Sequence, residues 1–218
     1  MIDVAKVRRY IYRVYDVKPE IRIMKTDIVL AGVGGQGILS IATILGAAAL
    51  DEGLHLKQAE VHGMSQRGGD VQSNLRISDR KIASDLIPLG SADLIVSLEP
   101  MEALRYLEYL SPEGWIVTNT TPFNNITDYP EMEEIMADLS RMPNVVAFDM
   151  DAMAKEVAGP RAANMVLLGA CAPFVKGLEK EKIEDGIRKV FGRKGEAMVE
   201  SNLRAFRAGW DSAAKNNS

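Results

Sequence analysis

The chain has a single cysteine, Cys171, and only two histidines, His55 and His62, among its 218 residues. An iron–sulfur cluster takes about four thiolates, so one cysteine excludes a cluster held by this chain. Two histidines with no carboxylate cluster beside them likewise make no convincing zinc site. No run of about 18 apolar residues is bounded like a membrane span, and the N-terminus lacks the short apolar core of a signal peptide. These absences lead us to expect a cytoplasmic protein. Excess charge of either sign is also missing. A formal charge of -4 and a pI near 5.4 give no electrostatic reason to expect nucleic acid or an anionic membrane as partner. No internal repeat is present, and the only low-complexity stretch is a small polar tail, residues 215–218, expected to be frayed.

What is present is enough apolar sequence, 47%, for one α/β domain with a core of its own. Its most informative stretch is Asp27-Ile-Val-Leu-Ala-Gly-Val-Gly-Gly-Gln-Gly-Ile-Leu-Ser40, an apolar strand that runs into four glycines and then a helix. Gly32, Gly34 and Gly37 fit the G-x-G-x-x-G spacing. Such glycines permit a tight turn, close approach by a ligand or neighbouring chain, and close helix-on-strand packing. Alone the spacing is weak. About 25 residues on lies a second unusual segment, Glu60-Val-His-Gly-Met-Ser-Gln-Arg-Gly-Gly69. Loops at the carboxyl ends of strands meet on one rim of a doubly wound sheet, so the Gly32–Gly37 and His62–Gly69 segments are expected to share that rim.

The remaining pattern predicts strands at His55–Val61, Val71–Ile77, Ala92–Leu98, Gly114–Asn119 and Asn144–Phe148. Val71–Ile77 alternates with period two, as for a strand with one solvated or interfacial face. Helices are predicted over Ile38–Leu50, Met101–Leu110 and Glu131–Leu139, giving the alternation of a mostly parallel sheet. From Ala162 the pattern is helical: an apolar segment to Val175, a charged one over Glu179–Val190, and a last helix from Gly195 to Trp210. Cys171 falls in the apolar segment, where a buried, inert thiol is expected. The fold class is therefore α/β, a Rossmann-like three-layer sandwich with a helical C-terminal portion. The first 23 residues differ in kind. They carry a charge of +3 against -7 for the rest, and Val4, Val7, Ile11, Val14 and Tyr15 recur at helical spacing ahead of Pro19.

Several residues admit both a functional and a plainer reading. Glu60, at the end of the second strand, stands where a nicotinamide-binding fold keeps its ribose-binding acid. That makes a free-standing NAD(P)-dependent oxidoreductase the rival reading. Gly35-Gln36, however, replaces the ordinary interior of a dinucleotide loop. His62 titrates in the right range for a general acid or base, but with no evident orienting partner a role in loop geometry or a cross-boundary hydrogen bond is the simpler account. Arg67, on glycine-rich backbone, can fork onto a carboxylate or phosphate or anchor its own loop through an ion pair. Met64 can touch an aromatic substrate or fill a seam with another subunit.

The Gly-Val-Gly-Gly-Gln-Gly loop, the His62-Gly-Met-Ser-Gln-Arg-Gly-Gly segment and Ala162-Ala-Asn-Met-Val-Leu-Leu-Gly-Ala170 together resemble the small subunit of indolepyruvate:ferredoxin oxidoreductase. That subunit sits within the wider family of 2-oxoacid:ferredoxin oxidoreductase gamma subunits and domains. The resemblance implies an accessory subunit, inactive alone, spanning residues 24–214, with residues 1–23 as a helical extension, either docked on its own domain, carried over from an upstream start, or packed on the large subunit. It implies that thiamine diphosphate, magnesium and 4Fe-4S clusters reside on a large partner subunit, that coenzyme A is co-substrate and that ferredoxin is reached through the complex. In keeping with this, the chain has no Gly-Asp-Gly segment of the kind that grips the diphosphate. The one Gly-Gly-Asp, at Gly68–Asp70, has the wrong order. The family further implies that Gly32, Gly34, Gly35, Gln36 and Gly37, with Gly63, Met64, Ser65, Gln66, Arg67, Gly68 and Gly69, form loops facing a shared thiamine and coenzyme A site, with His62 and Arg67 as weak catalytic candidates. The pyruvate and 2-oxoglutarate branches are the alternative substrate classes.

Overall fold

A computed structural model describes residues 23–62, 68–124 and 126–216. Six strands, β1 (Lys25–Val33), β2 (His55–His62), β3 (Asp70–Ser78), β4 (Ala92–Ser97), β5 (Leu110–Asn119) and β6 (Val145–Phe148), form one sheet in the order β2-β3-β1-β4-β5-β6. β1, β4, β5 and β6 are mutually parallel, while β3 is antiparallel to both β1 and β2. Among the described residues there are seven α-helices: α1 (Ile38–Asp51), α2 (Pro100–Arg105), α3 (Met132–Ser140), α4 (Met150–Val157), α5 (Ala163–Cys171), α6 (Lys180–Phe191) and α7 (Glu196–Asn216). Short 3-10 turns follow α2, α5 and α6.

β1 is buried from Thr26 to Val33, as its near-continuous apolar run requires of a central strand covered on both sides. One face, with Ile28, Leu30, Leu75 and Leu94, packs on α1, α5, α6 and α7. The other, with Val29, Ala31, Ile95 and Ile116, packs on α2 and α3. The three-layer α/β expectation thus holds.

Several local expectations change. The helix expected over Met101–Leu110 is α-helical only over Pro100–Arg105, and Leu110 already begins β5. The alternating strand, β3, is buried on both faces: Asn74 is 3% exposed and Ser78 7%. The segment 79–91 covers its polar side, tied down by Arg76, whose guanidinium donates to the carbonyls of Ser84 (3.1 Å) and Leu86 (2.9 Å) and to Asp27. The apolar segment from Ala162 is α-helical only to Cys171 and then tightens into a 3-10 turn at Ala172–Phe174, where Pro173 supplies no N–H. α4 is a helix outside the predicted set. Asp149 caps it, accepting from the Ala152 amide at 2.8 Å. α7 runs on to Asn216, beyond its predicted end at Trp210.

Candidate functional site: a pocket where the sheet reverses direction

From β1 the chain crosses by α1 over one face of the sheet, and from the adjacent, parallel β4 it crosses by α2 over the other. Neighbouring strands whose connections diverge open a crevice at their carboxyl ends, the usual ligand position of such sheets. Here the crevice is a pocket of about 510 Å³. Its walls come from the glycine loop (Gly35, Gln36, Gly37), the end of β4 (Leu98), the end of β5 and its following loop (Asn119, Thr121, Phe123), α4 (Asp151) and the start of α5 (Arg161, Asn164).

The glycine loop is held by its own glutamine. Gln36 Oε1 accepts from the Val33 amide at 2.7 Å, and Gln36 Nε2 donates to the Leu98 carbonyl at 3.2 Å. A Cβ on Gly32 would stand 3.0 Å from that same Oε1. The space vacated by Gly32 is therefore filled by the Gln36 amide, which ties the turn to the end of β4. Gly35 (φ 106°) and Gly37 (φ 83°) occupy backbone that favours glycine. Gly37 begins α1, and its carbonyl accepts from Asn164 Nδ2 at 3.2 Å. The second loop meets the first by backbone pairing, with the Gly34 amide donating to the Gly69 carbonyl (2.8 Å) and the Gly68 amide to the Gly34 carbonyl (3.3 Å). The shared rim is thus present, but its cause differs from simple succession. β2 runs parallel to β1 with β3 between them, so the β2–β3 turn returns to the carboxyl end of β1. Gly63, Met64, Ser65, Gln66 and Arg67, and the side chain of His62, lie outside the described residues.

Glu60 is exposed on β2 and accepts from Gln58 Nε2 at 2.7 Å. The intervening β3 separates its strand from β1 by two inter-strand spacings, about 9–10 Å. It does not stand beside the glycine loop as a ribose-binding acid would.

The far wall is organised by Asn119. Its Nδ2 donates to Asp151 Oδ2 (2.7 Å) and to the Leu98 carbonyl (3.4 Å), and its Oδ1 accepts from the Met150 amide (2.9 Å). Beneath the loop that follows β5, the fully buried Glu99 caps α2 through the Glu102 amide (2.8 Å) and also accepts from the Phe123 amide (3.3 Å) and the Tyr129 hydroxyl. Burial and the Glu99 carboxylate push the Tyr129 hydroxyl far above its ordinary range, so it remains a donor. Neighbouring Glu102 is raised by burial, against the opposing pull of Arg105.

Among the described residues the pocket has no cysteine or histidine wall. No group of three or more His, Cys, Asp or Glu among the described residues could hold a metal ion. Cys171 is fully buried and its thiol is pushed up to about 12 by desolvation, so it is no thiolate ligand. The described residues therefore do not fit a resident metal or cluster. Sequence reasoning missed Asn119, Asp151, Thr121, Phe123 and Arg161. The available signal was position: Asn119 ends β5, and Thr121 and Phe123 follow it.

A family model described as pyruvate ferredoxin/flavodoxin oxidoreductase matches residues 27–212. The chain belongs to that family. It is 37% identical over 200 residues to the indolepyruvate oxidoreductase subunit IorB of Methanothermobacter thermautotrophicus, covering 88% of this chain and 100% of that one. The IorB subunit of Pyrococcus horikoshii is 39% identical over 192 residues, covering 84% and 93%. Among solved structures, the gamma subunit of a keto/oxoacid ferredoxin oxidoreductase from Geobacter sulfurreducens superposes with a TM-score of 0.64 at 27% identity, covering 87% of this chain and 99% of that one. The family, the fold and the enzyme class expected from the motifs are all met: the chain is a small subunit of a 2-oxoacid:ferredoxin oxidoreductase. Among the described residues no helix is long and apolar enough to cross a membrane.

Proposed function

We propose that this chain, in the cytoplasm, completes the active site of an indolepyruvate or related aryl-pyruvate:ferredoxin oxidoreductase whose large subunit carries thiamine diphosphate, magnesium and 4Fe-4S clusters. The observation that carries this reading is that the glycine loop and Asn164 of the third motif line one pocket whose described walls hold no cysteine or histidine, while Gly68 and Gly69 of the second motif pair with the glycine loop at Gly34. A site built from glycine backbone, amides and one cation supplies shape and electrostatics to chemistry performed elsewhere. The thiamine diphosphate and clusters of the large subunit would supply the decarboxylation and two single-electron transfers to ferredoxin, coenzyme A would take the acyl group with release of its thiol proton, and this chain's loops would orient the reactants. The loops Gly32–Gly37 and Gly63–Gly69, Arg67 included, face the shared thiamine and coenzyme A site. Residues 24–214 form the working unit, with residues 1–23 an extension ahead of it. The indolepyruvate branch is favoured over pyruvate or 2-oxoglutarate by the two IorB relatives, each matched over nearly its full length.

The test is reconstitution. The purified chain alone should be colourless, bind no thiamine diphosphate and reduce no viologen dye with indolepyruvate. Mixing with the large subunit should give coenzyme A-dependent reduction. A single chain that reduces the dye unaided would overturn the accessory role.

A further inference from the structure

Helix α1 has an exposed face that carries no charge. One side of it packs on the sheet, α5 and α6. On the other, Leu39, Ser40, Thr43, Ala47 and Leu50 recur at three- and four-residue spacing and form one stripe. Thr43 is exposed, and Leu50 is 61% exposed. A surface helix ordinarily sets charged residues on this side, but α1 has none before Asp51. Asp51 and the following Glu52 are taken by Lys189 (2.6 Å) and Lys182 (2.7 Å) of α6.

The chain enters the domain at the foot of this face. The Leu54 amide donates to the Ala49 carbonyl at 2.9 Å, which sets Leu54 beneath the last turn of α1. Met24 and Leu54 share the space over Gly177, Leu54 Cδ1 standing 3.5 Å from where a Cβ would be. Ile23, beside Met24, is 49% exposed. An apolar patch of Ile23, Leu50 and Leu54 therefore surrounds the point where residues 1–22, which lie outside the described residues, join the domain.

That segment matches the face in pattern, length and charge. Val4, Val7, Ile11 and Val14 are spaced for one side of a helix that Pro19 ends. As a helix, residues 4–18 would span about 22 Å, against about 21 Å for the 14 residues of α1. Residues 19–22 remain to join the two, enough to reach about 13 Å. A lone helix of this length is marginal in water and depends on packing its apolar side. Its charge of +3 is opposite to the -7 of the rest of the chain.

We propose that residues 4–18 form a helix whose Val4, Val7, Ile11 and Val14 stripe covers the uncharged face of α1 from Leu39 to Leu50. β1 carries the chain away from this foot and α1 returns it, so the two helices run parallel. Lys6, Arg8 and Arg9 then lie toward the end of α1 that begins at the glycine loop and pocket. The contact is made within one chain and depends on neither the substrate nor the large subunit.

Nitroxide labelling of the full-length chain tests this. Cys171 is fully buried, with its thiol pushed up to about 12, so a label goes to one introduced cysteine. Thr43→Cys places it in the middle of the face, and Asp138→Cys places it on α3, on the opposite side of the sheet. The label at 43 should broaden the amide resonances of residues 7–14 at every protein concentration, while the label at 138 leaves them sharp. Adding Ile11→Asp, or separately Leu50→Asp, should restore those resonances and speed amide exchange over residues 7–14 by about tenfold or more, as for loss of local structure. Equal broadening from both labels, no broadening from either, or broadening indifferent to both substitutions overturns the contact. Broadening that disappears on dilution gives the face to a second copy, and broadening that appears only with the large subunit gives it to that partner; either result also overturns the proposal.

Discussion

Asp27 shows how a single carboxylate secures a segment that has little secondary structure of its own. Its side chain is 2% exposed, and it takes Arg76 through both oxygens (2.8 and 3.1 Å) and Lys25 at 2.8 Å. Arg76 in turn holds the 79–91 segment by two carbonyls. Burial by itself would raise the Asp27 carboxyl. The hydrogen bonds from Arg76 and Lys25, with the charges behind them, outweigh it and hold the group below its ordinary 3.8. The folded state therefore releases this proton more readily than the unfolded chain. The stabilisation is complete above 3.8 and is lost as pH falls through the lowered folded value. Asp27→Asn should lower stability near neutrality by about 1.5–3 kcal/mol, the worth of hydrogen bonds to a charged group, and should flatten the acid limb of Tm against pH. Calorimetry of both proteins from about pH 2 to pH 6 checks it; parallel curves would show that Asp27 does not carry the acid sensitivity.

Among the elements, the crossing of α5 on α7 is the tightest contact and depends on two glycines. A Cβ on Gly169 would stand 1.9 Å from the Phe206 carbonyl oxygen, and one on Gly209 would stand 2.0 Å from that of Val166. Both obstacles are backbone, so no rotamer change relieves them. Gly169→Ala or Gly209→Ala should force the helices apart and cost about 3 kcal/mol or more, the upper end of overpacking penalties, although alanine is the better helix former. Chemical denaturation of each variant reads this directly, and a neutral or stabilised Gly169→Ala would mean that the helices cross elsewhere. This element scale is also where the sequence was most legible. Long apolar or amphipathic runs marked β1, α1, α5, α6 and α7, because burial demands such runs. α4 escaped because eight residues give too little periodicity, and its definition comes from the Asp149 cap and contacts with α5 and α7. The place of β3 between β1 and β2 was equally hidden, since strand order is a matter of long-range pairing that a local pattern does not encode.

For the whole molecule, the candidate site was legible only where it is local. The two glycine loops announced themselves by composition, and their mutual backbone pairing follows. Asn119, Asp151 and Arg161 come from separate stretches of chain and are ordinary residues until the sheet gathers them, so no spacing marks them. The same assembly presents Phe123 and Ile126, 43% and 47% exposed, on the loop beside the pocket that Glu99 holds through the Phe123 amide. If the pocket is shared with the large subunit, as proposed above, these exposed apolar side chains on an anchored loop are expected to be covered by that partner. Phe123→Ser keeps the backbone bond to Glu99 and removes only the exposed ring. It should shift the stability of the free chain by no more than about 0.5 kcal/mol, as for a surface substitution, yet weaken association with the large subunit by about tenfold or more, as for loss of an aromatic anchor at an interface. Thermal melting of the free chain beside the dissociation constant of the complex makes the comparison. Unchanged association would place the subunit boundary away from the pocket mouth, and a large drop in melting temperature would make Phe123 part of the domain's own packing.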